Sequence, residues 1–95
     1  MPWEWDEAKN AANLSKHGID FETAVHVFFD GFLRIREDWH GGEQRWHSFG
    51  MIGNAYIVVI HTGRIDEVEA GAIGRLISAR RMTSREKRWY EQTRT

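Results

Sequence analysis

RLISARRMTSREKRWY, residues 75–90, alternates apolar and polar positions in its first half and opens like a helix in its second. Thr83 stands where an N-cap would, and Glu86, three residues on, completes a capping box. The stretch therefore predicts a strand running directly into a helix, with Arg80 and Arg81 at the junction. Arg85, Lys87 and Arg88 follow on the helix. Several cations fixed on rigid elements suit a phosphate backbone, because a guanidinium meets two phosphate oxygens at once.

The charge of the whole chain sharpens this. The 95 residues carry a net charge of −1, but residues 1–74 hold six Lys/Arg against twelve Asp/Glu, and residues 75–95 hold seven against two. Such sorting predicts a basic surface for a polyanion, or equally a solvated helix face, and an acidic remainder free to meet a basic partner. The length predicts one domain over residues 1–95. The longest apolar run, Tyr56 to Ile60, is too short to cross a bilayer, so no membrane partner is expected. An acidic start without a signal-peptide pattern, and no cysteine, predict a cytoplasmic home.

Outward from the central stretch, the chain divides by period. Asp6 reads as the cap of a first helix ending at Gly18, with a thin apolar side of Ala8, Ala11, Ala12 and Leu14. Asp20 caps a second helix through Phe28. From Phe32 the period becomes two. Strands are expected to Trp39, from Glu43 to Ile52, from Ala55 to Thr62 and from Ile73 to Arg80. Gly53-Asn54 reads as a tight hairpin turn, which sets Ile52 against Ala55 and Trp46 against His61, with His47 near Ile60 on the other face. The segment GRIDEVEAGA between the last two strands reads as an acidic loop. The expected fold is α+β: two N-terminal helices, a four-stranded mainly antiparallel sheet and a C-terminal helix. The third strand is apolar on both sides, so a partner is expected over the face opposite the N-terminal helices.

Several of these pieces occur together in one family. N-L-x-K-H-G at residues 13–18, F-E-x-A at 21–24, His61-Thr62, and I-S-A-R at 77–80 ahead of the capping T-x-x-E resemble, in order and spacing, the BrnT toxins of bacterial type II toxin-antitoxin pairs. The resemblance covers nearly the whole chain. It implies a RelE-like fold, metal-independent cleavage of RNA that inhibits translation, and a cognate BrnA-like antitoxin with a ribbon-helix-helix DNA-binding half, so that DNA is met only through the antitoxin. Two departures stand out: the segment after Thr62 is longer than usual and carries Asp66, Glu67 and Glu69, and Gly63 stands where the family often has a glutamate.

Cutting RNA without a metal requires a base for the 2′-hydroxyl and cations for the pentacoordinate phosphorus. Arg80 is expected to clamp phosphate, with Arg64 as a catalytic neighbour and Arg45, Arg81, Arg85, Lys87 and Arg88 binding RNA. For proton transfer the candidates are His61, His47 and Tyr90. His61 is preferred, as a histidine closing a strand where substrate could reach it; the other reading is a structural histidine bonded to a loop carbonyl. Trp89 is expected to pack. Five histidines with no cysteine and no metal-binding spacing give no reason to expect zinc, and no cofactor is expected. The alternative function is a non-catalytic module that binds its antitoxin and co-represses an operon.

Overall fold

The computed structural model describes residues 2–94. Five strands form one sheet: β1 (Trp3–Glu4), β2 (Arg34–His40), β3 (Glu43–Ile52), β4 (Ala55–His61) and β5 (Gly74–Arg81), in the spatial order β1-β5-β4-β3-β2. The helices are α1 (Glu7–His17), α2 (Phe21–Ala24, continued as a 3-10 turn through Phe29), α3 (Ile65–Glu69) and α4 (Ser84–Arg94). The α+β class is as expected, and its details differ. The sheet is mixed, because β1 runs parallel to β5 through Trp3 and Gly74. Residues 65–69 of the expected loop form a helix.

The hairpins follow the sequence pattern. Gly53 adopts φ 58°, the left-handed conformation that a tight turn demands of its glycine. That turn fixes the register: Ile52 opposes Ala55, His47 opposes Ile60 and Trp46 opposes His61. Between β4 and β5 the register shifts at Ile60/His61, leaving Ile77 as a bulge.

Two apolar layers pack on the sheet. On one face, here the α1 face, Phe21, Val27, Ile57, Val59, Leu76 and Ala79 are buried under the N-terminal helices. On the other, the α4 face, Phe49, Val58 and Tyr90 form a second core. The expectation of a partner over this second face is corrected: α4 already lies there, with Trp89 edge-on to Phe49 at 5.0 Å. Its capping box forms as read, since Thr83 N donates to Glu86 Oε1 (2.8 Å) and Glu86 N to Thr83 Oγ1 (3.2 Å).

The packing side of α1 is a second correction. Ala8, Ala11, Ala12 and Leu14 are exposed, and the buried residues are Asn10 and Asn13. Asn13 acts as a short stretch of strand. Its Nδ2 donates to Ala79 O (2.9 Å) and its Oδ1 accepts from Ala79 N (3.1 Å), which satisfies the edge of β5 beyond β1. Asn10 Oδ1 accepts from Phe21 N (2.8 Å), tying α1 to α2. Asp30 then joins the two layers, accepting from Met51 N, Phe32 N and the Tyr90 hydroxyl.

Candidate functional site

His61 closes β4, a central strand, and its side chain points into the α1 core rather than to a reachable edge. It is 0% exposed. Trp3 and Phe28 stand edge-on to its ring at 4.9 and 5.2 Å. The Ser48 hydroxyl donates to Nε2 (2.7 Å), and Nδ1–H donates to Gly63 O (3.1 Å). Both nitrogens are therefore used, in the neutral tautomer that this pattern requires. Burial drives its pKa down to about 4. The expectation of a histidine at a reachable sheet edge is corrected: His61 is enclosed in the α1-side core and bonds a loop carbonyl.

Tyr90 is enclosed in the same way. Its ring is 0% exposed, and its hydroxyl donates to Asp30. Burial, then the bond to Asp30, raises the phenol above its ordinary range. The Asp30 carboxyl is held below its ordinary value: burial opposes this, but the bonds from Tyr90, Phe32 and Met51 prevail. The pair bolts α4 to the body of the molecule.

Arg64 is at the wrong face. It stands just ahead of α3 without a side-chain cap bond, clasps Asp66 (3.1 and 2.8 Å) and Glu67 (3.6 Å), and borders a groove lined by Leu33, Ile35 and Trp46. Ile35 pairs with Ser48, whose hydroxyl meets His61, so this groove belongs to the α1 face. Arg80, paired with Val58 of the second core, lies on the α4 face. The sheet separates the two arginines.

What the α4 face does assemble is a cluster around His47 and Arg80. The Arg80 fork holds Glu86 with two bonds (2.7 and 3.0 Å), and its outer nitrogen also reaches Arg81 O (3.2 Å). Arg80 first, and the bonds from Thr83 besides, pull the Glu86 carboxyl down to about 2. The same bond raises Arg80. Arg80 is thus partly neutralised rather than a free clamp, with its side chain 30% exposed. Arg36, opposite His47 on β2, is 53% exposed, stands 3.9 Å from Glu86 and lies over Phe49 at 5.1 Å. Arg34 stacks over Trp89 at 5.4 Å.

His47 sits between them. Its Nε2 is 3.5 Å from Asp38. Its Nδ1 is buried and has no hydrogen-bond partner, alone in this among the described side chains. Burial first, then the charges of Arg36 and Arg80, hold its pKa below the ordinary imidazole value against the opposing pull of Asp38 and Glu86. The ring is neutral at pH 7 and so able to accept a proton beside fixed cations. Sequence reasoning ranked His47 below His61 and did not single out Arg36. The signal was in the alternation: residues 34, 36, 47 and 49 share a face by the same register that buries His61 on the other.

Of the remaining cations, Arg81 is set apart: it opposes Ile57 of the α1-side core, so its place on β5 is on the other face from Arg80. Arg45 pairs with Glu43 (3.2 Å). Arg81 is exposed and lines a hollow with Tyr56, Met82 and Lys87. Lys87 lies over the Tyr56 ring at 4.5 Å, and Arg85 and Arg88 are exposed on α4. Among the described residues, no three His, Cys, Asp or Glu side chains group as metal ligands, and no helix is long and apolar enough to cross a membrane.

Fold and site define a small α+β domain whose sheet carries a neutral histidine among arginines on one face. The chain belongs to the BrnT family, the ribonuclease toxins of type II toxin-antitoxin systems, whose model matches residues 5–86. No curated protein matches the sequence. Membership brings an antitoxin partner and an RNA substrate with it.

Proposed function

We propose that this toxin cuts RNA without a metal at the α4 face, thereby inhibits translation in the cytoplasm, and is neutralised by a ribbon-helix-helix antitoxin. The observation that carries the reading is His47: a neutral imidazole whose side chain is still 18% exposed, beside two guanidinium groups. His47 takes the proton of a 2′-hydroxyl. The freed oxygen attacks the adjacent phosphorus, and Arg36 and Arg80 offset the charge that grows on the phosphoryl oxygens. The 5′-oxygen leaves with a proton from solvent, giving a 2′,3′-cyclic phosphate and a 5′-hydroxyl end. Glu86 positions Arg80 and shares its charge. Arg45, Arg85, Lys87 and Arg88 track the backbone without reading bases, and Arg81 meets it only from the end of β5, in the hollow it shares with Lys87. His61, Tyr90 and Arg64 take no part in the chemistry.

One observation favours a second reading, the non-catalytic antitoxin-binding module: Glu86 already occupies the fork of Arg80. Incubating the purified protein with RNA in EDTA separates the two. Cleavage is expected, and Arg36→Ala and Arg80→Ala are each expected to slow it by about a hundredfold. Intact RNA after incubation with folded protein would leave only the binding module.

A further inference from the structure

The α1 face is covered only in part. Its helices shelter the β4 and β5 side, while toward β2 a groove of about 540 Å³ remains between α3 and the edge strand, floored by Leu33, Ile35, Trp46 and Ile65. Ile35 is 47% exposed there, on a strand whose every residue is exposed. Large apolar side chains gathered in one concavity are unusual on a free surface and mark a site of association.

The rim states what the occupant must be. Glu37 pairs with Trp46 and so stands on this face; Asp66 and Glu69 line the far side. Among the described residues lining the groove the one cation, Arg64, is already engaged by Asp66 and Glu67. An apolar floor with an acidic rim fits an amphipathic helix whose apolar stripe is flanked by Lys and Arg. It does not fit RNA, which the same acidic charges repel. A second copy of the chain would bring a second acidic rim against the first.

We infer that the groove between β2 and α3 is the docking site for a basic amphipathic helix of the antitoxin. The inference rests on the toxin reading above and adds where the partner sits: on the face opposite His47, leaving the basic cluster open. The long acidic segment after Thr62 supplies one wall of the site. Its acidic charges therefore stand away from the RNA surface.

Titration of the cognate antitoxin into the whole protein by calorimetry tests this, with two variants read beside wild type. Ile35→Asp puts a charge on the apolar floor and is expected to weaken binding by about a hundredfold or more. Glu69→Lys reverses one exposed rim charge and is expected to weaken binding about threefold at low salt, with the difference vanishing in high salt. Both should keep the circular dichroism of wild type and its RNA cleavage in the absence of antitoxin. Undiminished antitoxin binding by both variants would overturn the groove and leave the toxin reading standing. Loss of self-association, rather than of antitoxin binding, would give the groove to a second copy and also overturn the proposal. No binding by wild type would overturn the occupant and the partner half of the toxin reading together.

Discussion

On the α1 face His61 lies among Trp3 and Phe28 with both ring nitrogens bonded; one register step away on the α4 face His47 lies among Arg36, Arg80 and Asp38 with one nitrogen unbonded. Both imidazoles are held neutral at pH 7, each chiefly by burial. The difference is in what burial leaves over. At His61 every polar atom is satisfied, so the residue stabilises the core and has nothing to offer a substrate. At His47 an unsatisfied atom costs stability, and it persists beside charges that a phosphate would complement. One face closes on itself; the other carries the cluster on which the proposed chemistry rests.

The comparison breaks most readily at the bolt between the faces. Asp30→Ala leaves the Tyr90 hydroxyl and the Met51 N–H without their acceptor and is expected to cost about 3 kcal/mol, read by denaturant unfolding. If stability were unchanged, α4 would not depend on this contact.

The next effect belongs to His61 and is read as stability against pH. Its folded pKa, about 4, lies below its unfolded value of 6.5, so the unfolded chain takes up a proton first as pH falls. Stability present above pH 6.5 is lost progressively down to about pH 4, amounting to about 2 kcal/mol at pH 5. Glu86 and Asp30, whose carboxyls titrate lower when folded, add their losses only below about pH 4.5. His61→Asn should remove most of the slope between, leaving the lesser part that His47, also held below its ordinary value, contributes there; an unchanged slope would assign the window to another group.

Smaller still, Asn13→Ala unclamps the β5 edge and is expected to cost about 1 to 2 kcal/mol by the same measurement. Arg64→Ala is expected to change stability by less than about 0.5 kcal/mol and RNA cleavage not at all, since its partners are its own exposed carboxylates. A marked loss of cleavage would put chemistry on both faces.

Much of this architecture was legible in residue order. Strand alternation and the Gly53-Asn54 turn set the hairpin register, because both are local. The capping box at Thr83 and Glu86 was legible for the same reason. β1 was not: two residues carry no period, and their partner Gly74 lies far along the chain. α3 was hidden by the glycines and acidic residues around it. α1 misled because its buried side is made of asparagines, whose role exists only once the edge of β5 is beside them. The choice between His61 and His47 turned on which face each helix covers, and that depends on where α4 returns to the sheet. Arg36 escaped notice in an acidic stretch, and only the register across β2 and β3 brings it to His47.

The most direct test of chemistry at the α4 face is the rate at which His47→Gln cuts RNA in EDTA, measured beside wild type with the melting temperature of each. A fall of about a hundredfold or more with the melting temperature kept is the expected result. A rate within about twofold of wild type would contradict it.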